Sequence, residues 1–199
     1  MHQLAFYFDC SSPWTYLAFE QALQRFPATA VEIIWKPILV GGLFNTVNPS
    51  VYATRAQPVP AKAAYAQKDL QDWARQGQLT IGQPPVFPVN SVKAMRGAFV
   101  ALDKGCLVPY ARAVFQAYWR DLIDISQDAA LHAIVESVGL EPADFFARIA
   151  QPEYKERLRL TTEELAARGG FGSPTLFLNG EDMYFGNDRL GLIAQRLGL

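Results

Sequence analysis

The chain has 199 residues, 50% hydrophobic and 19% charged, with a formal net charge of -1. That is ordinary globular composition, enough for one domain with a large core or one domain carrying an insertion. Near-zero charge without a basic run argues against nucleic acid and against an anionic membrane surface, and no apolar run approaches the roughly 18 residues that cross a bilayer.

The first element is an apolar strand from about Leu4 to Phe8. Neither a basic n-region nor a cleavage site precedes it, so the chain is expected to be unprocessed and cytoplasmic. The strand runs into Asp9-Cys10-Ser11-Ser12-Pro13-Trp14-Thr15-Tyr16. Proline suits the first position of a helix, where its missing N–H has no partner to lose, so Ser12 is the predicted N-cap. Free N–H groups and the positive end of the helix dipole then lie beside the Ser12 hydroxyl, a place that suits an anion. A serine here caps the helix whether or not it does chemistry. Tyr16, Phe19, Leu23 and Phe26 recur at helical spacing, and Pro27 ends the helix. Val31 to Lys36 is the second strand, stopped by Pro37. Strand, helix and strand in about 35 residues make a βαβ unit with parallel strands.

Regular alternation stops there. Residues 38 to 61 contain Gly41-Gly42, Asn45, Asn48-Pro49, Pro58 and Pro60, and are expected to be a long irregular segment. A helix is predicted from Lys62 to about Arg75, with Tyr65, Leu70 and Trp73. A loop follows from Gly82 to Pro88. Asn90 or Ser91 then caps a helix that buries Met95, Phe99 and Leu102 and stops at Gly105. Helices are expected from Pro109 to Trp119, from Gln127 to Val138 behind a Ser126 cap, from Glu141 to Ala150, and from Glu153 to Ala167, ending at Gly169-Gly170. Ser173 to Leu178 is a strand led by proline. Asn179-Gly180 is a hairpin turn, Met183 to Phe185 the returning strand, and Gly186-Asn187-Asp188 the start of a last helix through Leu190, Ile193 and Leu197.

The ends therefore form one α/β unit, residues 1–45 with 168–199, around an all-helical insertion, residues 46–167. The order β-α-β…β-β-α is that of a thioredoxin-like domain. Cys10 and Cys106 are far apart and form no CxxC pair, and His2 and His132 have no metal-ligand spacing, so no disulfide and no metal are expected. Cys10 is expected to be a buried, inert thiol.

An opening Phe-Tyr-Phe-Asp-x-x-Ser-Pro-Trp-x-Tyr-Leu-Ala, a late Ser-Pro-Thr after glycine, and a terminal Phe-Gly-Asn-Asp-Arg-Leu span essentially the whole chain. In these features it resembles the 2-hydroxychromene-2-carboxylate isomerases, relatives of kappa-class glutathione transferases in the DsbA-like branch of thioredoxin folds. DsbA-like oxidoreductases have a nucleophilic cysteine where Ser12 stands and a second cysteine where Thr15 stands, so dithiol chemistry is not expected of this turn. The resemblance implies glutathione as cofactor and Ser12 as the catalytic residue that supports its sulfur. A thiol has an ordinary pKa of about 8.5 and reacts as the thiolate, which a serine hydroxyl and helix N-terminal amides stabilise.

The resemblance further implies that Ser173-Pro174 is the cis-proline loop that pairs with the cysteinyl unit, although proline could equally begin an edge strand. Gly186, Asn187 and Asp188 would take the γ-glutamyl group, although Asn and Asp also serve as plain caps. Lys62 would approach the glycyl carboxylate, with a solvated lysine as the alternative, and Asn48, aligned to a family asparagine across a gap, would be a further glutathione contact. Pro13, Trp14, Tyr65 and Asn90 would contact a small aromatic 2-oxo acid. The implied reaction interconverts 2-hydroxychromene-2-carboxylate and trans-o-hydroxybenzylidenepyruvate by reversible thiolate addition, in a homodimer. The alternatives are a kappa-type transferase that conjugates electrophiles, and a thioredoxin-fold binding protein without catalysis.

Overall fold

The computed structural model describes all residues, 1–199. Four strands, β1 (His2–Phe8), β2 (Val31–Pro37), β3 (Thr175–Leu178) and β4 (Asp182–Phe185), form one mixed sheet in the order β2-β1-β3-β4. β1 and β2 are parallel, with Phe6 opposite Trp35, as the crossover helix α1 (Pro13–Arg25) requires. β3 is antiparallel to both β1 and β4. Residues 179 and 180 both have positive φ, the geometry that an Asn-Gly hairpin turn supplies at little steric cost.

Alternation along β1 sorts its side chains between two layers. Leu4, Phe6 and Phe8 join Leu176 and Leu178 in the larger core, while Ala5 and Tyr7 join Phe177, Ile38, Leu43 and Leu165 in a smaller one. Both faces are covered, which is why the strand reads as a continuous apolar run. β3 lies between β1 and β4, so Pro174 precedes an interior strand rather than an edge. On the first face, Phe19 of α1 meets Trp35 and Phe115 with ring centroids 5.1 and 5.3 Å apart.

The segment 38–61 differs from expectation. It carries two helices, α2 (Val40–Val47) and α3 (Ser50–Ala56), separated at Asn48-Pro49. Two glycines lower the intrinsic helix propensity of α2, and tertiary packing overrides that. The Leu39 N–H just ahead of α2 bonds the Thr162 hydroxyl of α9 (Pro152–Ala167) at 3.0 Å, and Leu43 is fully buried in the smaller core. The remaining helices are α4 (Pro60–Gln76), α5 (Val92–Asp103), α6 (Leu107–Phe115), α7 (Asp128–Ser137), α8 (Pro142–Ala150) and α10 (Leu190–Leu197).

Several ends shift. α6 begins two residues before Pro109, which sits in a first turn where its missing N–H costs nothing, and it continues as a π-helical turn over Gln116–Arg120. Ser126 does not cap α7; its N–H bonds the Asp124 side chain at 2.9 Å, and the cap position falls to Gln127. Asn187–Arg189 is a 3₁₀ turn ahead of α10. No helix is long and apolar enough to cross a membrane.

The larger core runs without interruption from β1 and α1 into α5, α6, α7 and α8. Its tightest approach is at Gly97 on α5, where a Cβ would meet the Tyr110 hydroxyl and the Phe145 ring. Overpacking of this kind costs about 1–3 kcal/mol. The Gly97→Ala protein is therefore expected to melt lower, by about 2–4 °C for each kcal/mol lost. An unchanged melting temperature would mean that α6 and α8 can move aside freely.

Candidate active site

Ser12 caps α1. Its backbone is extended, and its Oγ accepts the Thr15 N–H at 3.3 Å. The same hydroxyl donates to the Ser173 carbonyl at 3.2 Å, so one side chain joins the first helix to the loop before β3. Proline at the next position and the free Trp14 N–H leave the helix end without an internal partner, and no acidic residue lies in its first turn. Positive potential therefore accumulates beside the Ser12 hydroxyl.

The Ser173–Pro174 peptide is cis. Ser173 is buried, its Oγ lies 2.7 Å from the Thr15 hydroxyl and accepts the Asp9 N–H at 3.1 Å, and its own N–H has no partner within the chain. Thr15, in the position of the second cysteine of a dithiol pair, thus orients the loop and brings no sulfur.

Asp9 lies beneath the turn, fully buried. Its carboxyl accepts from the Ser11 N–H at 2.9 Å, the Val40 N–H at 2.9 Å and the Ser91 hydroxyl at 3.1 Å. Burial pushes this carboxyl above its ordinary pKa, and the donors oppose that shift only in part. From the other side, Trp119 in the π-helical turn donates its indole N–H to the Cys10 carbonyl at 2.9 Å, and the Cys10 N–H meets the Met95 sulfur at 3.3 Å. The Cys10 thiol is itself buried, and burial, with the neighbouring Asp9 charge, raises its pKa well above the ordinary thiol value; it is an unreactive thiol.

Two cavities open over the turn. The larger, about 760 Å³, has Ser11, Ser12, Pro13 and Trp14 along its floor. Phe44, Asn45 and Tyr52 from α2 and α3 form one wall, Phe87 and Asn90 the opposite one, and Phe171 and Phe185 the back. The smaller, about 340 Å³, is lined by Asp69 and Trp73 of α4 and by Pro174, Gly186, Asn187 and Asp188. Trp14, Ser173 and Phe185 line both, so the two are lobes of one groove that meet at the Ser12 turn. One lobe is broad and aromatic; the other is small and polar. In the polar lobe Asn187 is 4% exposed and its Nδ2 has no partner, a buried donor with nothing to bond.

The groove brings together Ser12, Pro13, Trp14, Asn48, Asn90, Ser173, Pro174, Gly186, Asn187 and Asp188 from among the residues expected on sequence grounds. It leaves out Lys62 and Tyr65, which stand exposed near the start of α4 and line neither lobe. Asn48 reaches the groove through its amide, which donates to the Phe171 carbonyl at 3.2 Å. Asn90, besides lining the aromatic lobe, accepts the Val92 N–H at 3.1 Å and so supplies the side-chain bond at the start of α5, while Ser91 turns inward to Asp9. Asp188 is more open than its placement at a helix start implies: its side chain is 44% exposed and pairs with Arg189 at 3.4 Å. Sequence reasoning missed Asp9, Phe44, Tyr52, Arg55, Asp69, Trp73, Phe87, Phe171 and Phe185. A buried acid directly ahead of the Ser-Pro turn was the one available signal.

A serine-capped first helix facing a cis-proline loop, on a β-α-β…β-β-α core with a helical insertion, defines a thioredoxin-fold protein whose first-helix turn carries a hydroxyl in place of the dithiol. Residues 3–198 match the DSBA-like thioredoxin domain model, and the chain belongs to that family. Within it, the chain is 29% identical to 2-hydroxychromene-2-carboxylate isomerase of Pseudomonas putida over 97% of this chain and 93% of that protein. It is 26% identical to glutathione S-transferase kappa 1 of Homo sapiens over 96% of this chain and 89% of that one. A solved structure of a 2-hydroxychromene-2-carboxylate isomerase superposes with a TM-score of 0.83 at 25% identity, covering 98% of this chain and 94% of that chain.

Asp9 sets the pH response of the site's framework. Asn in its place would turn an N–H toward the Val40 N–H, leaving that donor unsatisfied, at a cost of about 1–3 kcal/mol. A carboxyl whose pKa is higher folded than unfolded holds its proton more tightly in the fold. Its contribution is therefore full below the ordinary value of about 4 and is lost as pH rises through the raised pKa. The Asp9→Asn variant, which does not titrate there, should be less stable than wild type at about pH 4, with the gap narrowing toward pH 7. Urea denaturation across that range measures it; a gap that widens would mean the ionised carboxylate's hydrogen bonds outweigh its burial.

Proposed function

We propose that this protein is a glutathione-dependent isomerase that interconverts 2-hydroxychromene-2-carboxylate and trans-o-hydroxybenzylidenepyruvate, or a close aromatic 2-oxo acid. The observation that carries this reading is the junction of the two lobes. There the Ser12 hydroxyl, the positive end of α1 and the unspent Ser173 N–H meet between a peptide-sized polar lobe and an aromatic one. The isomerase relatives, similar over nearly the whole chain, support the same choice.

The polar lobe suits glutathione. The backbone N–H and C=O of Ser173 offer a pairing site for a peptide unit. Asp188 offers a carboxylate for an ammonium, and the orphaned Asn187 amide a buried donor for a carboxylate. When bound, glutathione would supply a thiolate able to add reversibly to the conjugated acid and let a double bond rotate. Ser12 would act on the anion beside it. A ligand amide at the Ser173 carbonyl competes for the acceptor that Ser12 now uses, freeing the hydroxyl proton to turn toward that anion. The Trp14 N–H and the α1 dipole act at the same place. The aromatic walls would hold the flat acid and exclude water.

Kinship with the kappa transferases favours a second reading, in which sulfur stays bonded to an electrophile. Product analysis separates them, since an isomerase returns free glutathione and a transferase leaves a conjugate.

Ser12→Ala should fold with glutathione affinity largely kept and lose about 1.5–3 kcal/mol of transition-state stabilisation, roughly tenfold to a hundredfold in rate. Ultraviolet titration of the bound thiol should show a raised pKa in the variant; unchanged activity and an unchanged pKa would leave Ser12 a cap only. Asp188→Asn keeps the shape and removes the charge. Because that carboxylate is open to water and already paired with Arg189, glutathione affinity should fall by only about 0.5–1 kcal/mol, a few-fold, with kcat unaltered. Calorimetric titration giving the wild-type dissociation constant would remove Asp188 from the site.

A further inference from the structure

Arg55, near the end of α3, is the only charged side chain lining the aromatic lobe. Its guanidinium carbon lies 5.5 Å from the centroid of Phe44 and 5.4 Å from that of Phe87. Phe44 belongs to α2 and Phe87 to the loop before α5, so the cation bridges the two walls of the lobe. Cation–π contact with two rings holds the exposed guanidinium near the lobe without using its N–H donors. Most arginines of the chain are committed elsewhere, as Arg112 is to Glu20, Arg157 to Asp103 and Arg168 to Glu164. Arg55 has no carboxylate and no hydrogen-bond acceptor within the chain. Arg25 and Arg96 also lack an ion pair, but neither lines either lobe.

No acidic side chain lines the aromatic lobe, and the nearest carboxyl, Asp9, is buried beneath its floor with three donors on it. Tyr52 donates to the Asn45 Oδ1 at 2.7 Å, which leaves the amide N–H groups of Asn45, a second lining residue of this lobe, without an acceptor in the chain. A planar, unspent, charged donor in a lobe with aromatic walls matches a flat ring bearing a carboxylate. We infer that Arg55 is the specificity-determining residue of the larger lobe: it takes the carboxylate of a planar aromatic acid and makes the protein select anionic over neutral ligands. The choice of an aromatic acid rests on the isomerase reading above, whereas the anion site itself does not depend on glutathione.

The test uses the full chain without glutathione. trans-Cinnamate and its neutral counterpart cinnamamide are titrated separately, followed by quenching of tryptophan fluorescence, for which Trp14 in the lobe is a reporter. Glutathione is titrated in its own calorimetric experiment. Wild type should prefer cinnamate over cinnamamide by about tenfold. Arg55→Met should abolish that preference while binding cinnamamide as wild type does, and Arg55→Lys should keep part of it, since a lysine retains charge but not the stacked fork. In turnover with an aromatic 2-oxo acid, Arg55→Met should raise KM with little change in kcat. Equal affinity of wild type and Arg55→Met for cinnamate would overturn the assignment, as would a wild type that does not distinguish acid from amide. An Arg55-dependent preference for cinnamate in a protein that binds no glutathione would uphold this assignment and overturn the glutathione reading alone.

Discussion

One buried carboxyl fixes the geometry on which the groove depends. Asp9 leaves the end of β1 and collects donors from three separate places: the turn before α1, the first turn of α2 and the residue ahead of α5. Those three elements are the floor and the two walls of the larger lobe. A carboxyl with no access to water is tolerated only because each lone pair that matters finds an N–H or O–H, and the same bonds prevent the walls from parting. The apolar layers on either side of the sheet position β1, but they do not specify how α2 and α5 stand relative to Ser12. Asp9 does.

The helical insertion completes that arrangement from behind. Trp119 and Met95 grip the backbone of Cys10, and the π-helical turn that aims the Trp119 indole is the kind of local irregularity commonly found beside functional sites. The Ser12 turn is thus over-determined from both faces, while its front stays open to two lobes of opposite character. A serine in this setting keeps the electropositive helix end of the thioredoxin fold and gives up the sulfur. The hydroxyl can stabilise an anion without being consumed in a mixed disulfide, and Thr15, freed from redox duty, bonds Ser173 and braces the cis-proline loop.

The separation of the lobes also separates their electrostatics. The polar lobe carries Asp69, Asp188 and Arg189 with a buried orphan amide, which suits a zwitterionic peptide. The aromatic lobe carries a single cation spread across two rings, which suits an anion with a flat apolar body. Trp14, Ser173 and Phe185, common to both, are where two such ligands would touch.

What the sequence by itself determined is what nearest neighbours decide. Proline after Ser12 set the start of α1, Asn-Gly set the hairpin, the continuous apolar run of β1 and β-branched residues in β2 set the strands, and the order of elements set the fold class. These signals act over one or two turns, where backbone preference and periodicity are the physics involved. Ser12 was legible as a cap for the same reason, whereas Ser173 and Asn187 entered as site residues only through the family resemblance. The rest was decided by tertiary structure. α2 formed across two glycines because Leu43 packs into the smaller core and the Leu39 N–H ahead of it is held by Thr162 of α9. Lys62 and Tyr65, which the family resemblance implied, fell outside the groove because α4 turns only its later residues, Asp69 and Trp73, toward it. Asp9 gathers donors 2, 31 and 82 residues away, and Arg55 finds its two rings on separate elements. No local pattern encodes such meetings, because they depend on how packed layers bring distant segments together.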